Sequence, residues 1–244
     1  MRRVDSNAQS AFQVSPEDFT YVFLPGQRPT HSPASELHHE ASEYFAPFWE
    51  RVLAENGVTE GVASPRSFTR SDLITVLLFK GSFVGLIAHS FLDLREPAHR
   101  THEYLQGIAG PEFLKRLDQE GITRAMTMEW LTIHHDFRKK RIGVSLAPVM
   151  LALSLRTQRE FGMQVTLQRA RQDIGIDRIL KNLGAEVILE NILMHNTPVA
   201  MMMTFTEALR EDLDTTTLAF VESCWKRRLD LREPTATTVI ERAA

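Results

Sequence analysis

Residues 124–150 read RAMTMEWLTIHHDFRKKRIGVSLAPVM. The first ten, Arg124 to Ile133, mix apolar, aromatic and threonine side chains and predict a strand. Four cationic residues follow, Arg138, Lys139, Lys140 and Arg141, and then Gly143 and an apolar run. Ile142, Leu146, Val149 and Leu153 recur at helical spacing, so a helix is predicted from about Arg141 to Phe161, kinked at Pro148. A helix N-terminus already carries unpaired N–H groups and a partial positive charge. Cations placed there disfavour the helix on its own, so the arrangement predicts a bound anion.

Outward from this stretch, the pattern alternates. Phe19 to Leu24 predicts a strand ended by Pro25-Gly26, and a helix runs from Ser35 to Asn56, split by Pro47. LITVLLF (73–79) and FVGLIAHSFLDL (83–94) read as a hairpin across Lys80-Gly81-Ser82. Both are apolar at nearly every position, which implies cover on both faces. Residues 95–121 form a charged helical insert broken at Gly110-Pro111. Its Tyr104, Leu105, Ile108, Phe113, Leu114 and Leu117 predict that it packs over the domain. MQVTLQ (163–168) is a strand, Asp173 to Asn182 a short helix with Asp173 as N-cap, and two strands follow at Ala185–Met194 and Val199–Phe205. The tail, 206–230, is an amphipathic helix whose apolar stretch from Leu213 to Trp225 offers a surface for a homodimer. The order predicts a mixed α/β fold around one sheet of about six or seven strands. Residues 1–18 read as a flexible arm, 19–206 as the main domain with its insert, and 207–244 as a helix with a disordered tail.

Composition narrows the function. The chain has 244 residues, 43% of them hydrophobic, and a net charge of −3. That balance argues against a nucleic-acid binder. The single cysteine, Cys224, excludes an intramolecular disulfide and a cysteine metal cluster, and fits a cytoplasmic setting. The N-terminus does not read as a secretory signal, and no apolar run reaches the ~20 residues of a membrane span. His134-His135 is not assigned as a metal site, because neighbouring strand residues point to opposite faces. The methionines at 194 and 201–203 read as core and pocket lining.

EWLTIHHDFRKKRIGVSLAPVM resembles the central motif of the GCN5-related N-acetyltransferase (GNAT) family. That motif is often a strand E-x-L-x-V-x-P-x-Y-R followed by x-x-G-x-G or x-x-G-x-A at a helix start. Glu129, Leu131, Ile133, Arg138 and Gly143 match in spacing. Phe137 stands for the tyrosine, His135 for the proline and Arg141 for the middle glycine. DIGIDRILKNLGAEV is similar to the family's later segment, N-x-x-A-x-x-L-Y-x-x-L-G-F, with Asp173 at the asparagine, Leu180 at the tyrosine and Leu183-Gly184 in place. The resemblance implies a twisted, mostly antiparallel mixed sheet, splayed at a cofactor site and flanked by helices. It implies transfer of an acyl group, acetyl by family habit, from acyl-CoA to a small-molecule or peptide amine. Arg138, Lys139, Lys140, Arg141, Ile142, Gly143 and Val144 would cradle the phosphates, Leu131 and Ile133 would anchor pantetheine, Asp173 would also bind the cofactor, and Glu129 would act as base. Leu180 leaves the family's acid role vacant. Two variants stay open: a long-chain N-acyl amino acid synthase-like enzyme fed by acyl carrier protein or long acyl-CoA, and a non-catalytic acyl-CoA-binding domain.

Overall fold

The two most apolar runs form the centre of the sheet. A computed structural model describes residues 14–30, 33–58, 68–108, 110–137 and 142–232. In it, β2 (Leu73–Phe79) and β3 (Ser82–His89) pair through a two-residue turn. Lys80 and Gly81 both have positive φ there, the geometry that matches strand twist in a tight hairpin. β1 (Phe19–Pro25) pairs antiparallel with β2. On the other side β3 pairs with β5 (Arg124–Ile133). Gly85 permits that approach, because a Cβ there would lie 2.4 Å from the Thr132 carbonyl oxygen.

The remaining strands are β4 (Phe91–Asp93), β6 (Val165–Arg171), β7 (Glu186–Met194), β8 (Thr197–Phe205) and β9 (Leu229–Asp230). The order across the sheet is β7-β8-β6-β5-β3-β2-β1-β9, with β4 paired to β5. All neighbours are antiparallel except β5 with β6 and β1 with β9. Among the described residues nine strands replace the expected six or seven, for two reasons. The run 83–94 breaks at Ser90, whose N–H bonds the Thr127 hydroxyl. The tail returns to the sheet as β9 beside β1.

Helices cover both faces. α1 (Ala34–Glu55) continues through Pro47 instead of splitting there. Pro47 and Glu43 are both exposed, so the carbonyl that loses its partner lies on the side open to water. α1 packs Leu37, Ala41 and Phe45 over β1–β3. The insert supplies α2 (Gly110–Gln119), and its Tyr104, Leu105, Phe113 and Leu117 cover the β4–β6–β8 half of the same face. The opposite face carries α3 (Leu146–Glu160), α4 (Ile176–Asn182) and α5 (Thr215–Lys226) in one cluster. α5 buries Phe220, Val221 and Cys224 there, so the apolar surface offered for a dimer is largely spent on the chain's own core. Pro16–Asp18, within the expected flexible arm, forms a capped 3-10 turn whose carbonyls accept from Arg227.

α3 starts at Leu146, later than the predicted Arg141. Pro148 therefore stands in its first turn, where a missing N–H costs nothing, and not in mid-helix. No described helix is long and apolar enough to cross a membrane.

Candidate active site

The parallel ladder between β5 and β6 runs from Ala125↔Val165 to Met128↔Gln168 and stops, although β5 continues to Ile133 and β6 to Arg171. The cause is a bulge in β5. Between the pairs Ala88↔Glu129 and Leu86↔Thr132, β5 carries one residue more than β3. Trp130 takes φ +61 at that point. A bulky residue in the left-handed region stores strain of about 1–3 kcal/mol. The surroundings hold it: Trp49 and Phe45 meet the indole edge-on at 5.0 and 5.5 Å. The Thr132 hydroxyl bonds the Trp130 carbonyl at 2.8 Å and accepts from Trp49 Nε1 at 2.9 Å.

The diverging strands open a narrow cleft of about 150 Å³. Leu151, Ile176 and Leu180 wall it on the α3–α4 side of the sheet, and Phe48, Trp49 and Val52 on the α1 side. It therefore passes through the sheet, and it shares Trp49, Met128, Trp130 and Arg169 with a cavity of about 790 Å³ lying between α1 and the insert. Glu103, Tyr104, Gln106 and Gly107 form one wall of that cavity and the β7–β8 hairpin another. His195 and Asn196 turn the hairpin, both at positive φ, and Asn196 Nδ2 donates to the Asn56 carbonyl at the end of α1 at 3.0 Å.

Glu129 lies in the cavity wall. Its Oε1 accepts from the Thr127 hydroxyl at 2.7 Å. Thr127 Oγ1 in turn accepts from the Ser90 N–H at 2.9 Å, which points its proton at the carboxylate. Burial raises the Glu129 pKa above the usual carboxylate range, and the Thr127 bond and the Arg70 charge pull it back only in part. Arg70 and Glu103 form a bidentate pair in the wall. Arg169 stacks on Tyr104 at 4.0 Å and donates from Nη2 to the carbonyls of Glu103 and Tyr104, both at 3.2 Å. Burial and then the Arg169 charge lower the His195 pKa, which keeps a neutral imidazole at the cavity edge.

The sequence-predicted residues divide. Glu129 lines the cavity and Leu131 the cleft. Ile133 pairs with Gly85 and packs against the core. Arg138, Lys139, Lys140 and Arg141 lie outside the described residues. Ile142 is buried in the core, so only its backbone could serve an anion, and Val144 packs against the same cluster. Gly143 has φ +76, with no atom within 4 Å of where a Cβ would project. The Ser145 side chain makes no capping bond to the first N–H groups of α3. Asp173 is not an N-cap: α4 starts at Ile176 behind Gly175 at φ +75, and Asp173 pairs with Arg171 at 2.6 Å. Leu180 stands in the cleft wall where the resemblance puts a tyrosine. The opposite-face argument for His134-His135 fails, because β5 ends at Ile133 and the next residues enter a 3-10 turn. The two rings stack at 4.4 Å beside Asp136.

Arg70, Glu103, Tyr104, Arg169 and His195 were not legible as site residues. Tyr104 stands out in the sequence only as an apolar residue of the insert, and nothing local marks the others.

No protein-family model matches the chain, and no curated protein matches it in sequence. Solved structures do match in shape. An N-acyl amino acid synthase from uncultured soil microbes shares 12% identity, covering 80% of this chain and 95% of its own, with a TM-score of 0.53. Arylalkylamine N-acetyltransferase 2 from Aedes aegypti shares 14%, covering 78% and 99%, with a TM-score of 0.52. A mutant of agmatine N-acetyltransferase in its apo form shares 13%, covering 77% and 99%, with a TM-score of 0.52. At such identities the likeness is one of backbone, and it agrees with the mixed sheet order and the strands parted beyond Met128: the chain has the GNAT acyltransferase fold.

Proposed function

We propose that the protein is an acyl-CoA-dependent N-acyltransferase that passes the acyl group directly to an amine. The observation that carries this reading is the cleft through the sheet where β5 leaves β6, with Glu129 beside its inner end. The residues present fit the cofactor. Strand edges beyond Met128 and Gln168 offer main-chain groups to an extended arm, as in strand addition. Leu131 lines that passage, and Ile133 continues the same edge. At its α3 end, Gly143, Val144 and the uncapped first turn of the helix present N–H groups suited to phosphate. Arg138 to Arg141 precede that turn in sequence and would add charge-assisted contacts. Bound acyl-CoA supplies the activated thioester.

Glu129 takes the proton from the acceptor, directly or through a water. An alkyl ammonium has a pKa near ~10.4, so a base is required at neutral pH. The Thr127 hydroxyl holds the carboxylate in place. Leu180 carries no proton, so returning one to the thiolate falls to solvent or to another hydroxyl. Tyr104, in the cavity wall, is kept protonated by burial.

One observation favours a longer acyl group than acetyl. A cavity of about 790 Å³, lined by Val52, Leu53, Ile192, Met194, Val199 and Met201, is far larger than a two-carbon group needs. A long chain, from CoA or from an acyl carrier protein, would fill it. Thermal shift with coenzyme A, acetyl-CoA and palmitoyl-CoA tests both points. At a hundredfold excess over Kd, a true donor adds about 2.7 kcal/mol, or about 5–10 °C. Mass spectrometry of product with a panel of amines completes the test. Stabilisation without any product would mean a binding domain, and no stabilisation by any of the three refutes the proposal.

A further inference from the structure

Three guanidinium groups line the cavity, and two are matched. Arg70 pairs with Glu103, and Arg171 with Asp173. Arg169 makes no ion pair among the described residues. Among the described residues its Nη2 is used by the carbonyls of Glu103 and Tyr104, its Nε is buried without a partner, and its Nη1 makes no hydrogen bond. A guanidinium held this way, rigid and stacked on a ring, with Nε buried and Nη2 spent on two carbonyls, keeps Nη1 for one charge-assisted bond to a carboxylate.

Its position relative to Glu129 specifies more. Met128↔Gln168 is the last ladder pair, so Glu129 and Arg169 are the next residues on each strand, and both line the cavity. Paired strands lie about 4.8 Å apart, so the base and the unmatched cation flank the start of the opening. We infer that the acceptor is an amino acid, with its amine toward Glu129, its carboxylate on Arg169 and an apolar side chain in the cavity. This rests on the acyltransferase reading above. A plain amine leaves Arg169 without a carboxylate to bind, whereas a zwitterion pairs with it and keeps its amine at the base. The apolar cavity of about 790 Å³ has room for a leucine- or phenylalanine-like side chain beside the acyl chain.

The test uses the full chain with acetyl-CoA and palmitoyl-CoA as donors, and acceptors in pairs that differ only in the carboxylate: leucine with isoamylamine, phenylalanine with phenethylamine. The amino acid of each pair should lead in kcat/KM by about tenfold or more. Arg169→Met should raise its KM about 10- to 100-fold, far more than it changes that of the amine. Arg169→Lys should recover part of the loss, because the charge stays and the fork goes. Equal or better use of the plain amines overturns the inference, as does an equal loss for both members of a pair in Arg169→Met. Should Arg169→Met fail to fold, the parent's ranking within each pair decides alone. Donor stabilisation with product only from plain amines refutes this inference and spares the acyltransferase reading. No stabilisation and no product refutes both.

Discussion

His89 offers a test of the packing beneath the site that needs no substrate. It is fully buried in β3. Nδ1 donates to the Thr127 carbonyl at 3.0 Å, and Nε2 accepts from the Thr75 hydroxyl at 3.1 Å. Burial pushes its pKa down to about 4 from the usual 6.5, and the bond to Thr127 offsets this only in part. As pH falls below 6.5 the unfolded chain takes up a proton that the folded imidazole refuses until about 4. The unfolded state binds more protons across that window, so stability is full above it and is lost as pH falls through it. The difference of roughly 2.5 units is worth about 3 kcal/mol in all, and about 2 kcal/mol of it goes between about pH 7.5 and pH 5. For a chain of this length 2 kcal/mol is about 4–8 °C in Tm. The assay is urea unfolding at several pH values in that window, for the parent and for His89→Gln, which can keep both hydrogen bonds without titrating there. Subtraction is needed because Glu129 acts with the opposite sign: its raised pKa contributes stability that is lost as pH rises. The variant should lose about 2 kcal/mol less than the parent. An equal slope in both, or an imidazole resonance of His89 titrating near 6.5, would refute the reasoning.

Other outcomes follow from the same geometry. Thr127→Val removes the hydroxyl between Ser90 and Glu129; the orphaned Ser90 N–H should cost about 1–3 kcal/mol, and the acid limb of the pH–rate profile should move upward, while Thr127→Ser leaves that limb in place. Gly85→Ala sets a Cβ 2.4 Å from the Thr132 carbonyl oxygen, so urea unfolding should show a loss of about 1–3 kcal/mol from overpacking. Ile192→Trp narrows the cavity and should cut stabilisation by palmitoyl-CoA more than by acetyl-CoA in thermal shift; equal effects would mean that the acyl chain lies elsewhere.

Much of the scaffold was legible because it is local. The apolar runs of β2 and β3, the span Arg124–Ile133 and the spacing along α1 each depend on neighbours a few residues away. Glu129, Leu131 and Gly143 were legible in the same way, from one strand leading into one turn. Element ends were less so. The start of α3, the survival of α1 through Pro47 and the turn after Ile133 depend on which side meets water and where a strand is released from its partner.

Local patterns in the chain carry the order of strands and helices and the residues of the central motif. Folding alone sets where the strands part, returns the tail as β9, and brings Arg70, Glu103, Arg169 and His195 into one cavity with Glu129. The cause is distance along the chain. Those groups come from the segment before β2, the insert, β6 and the β7–β8 turn, and each looks like an ordinary polar residue in its own neighbourhood. Only the folded sheet brings them together, and only burial there changes what Glu129 and His195 can do.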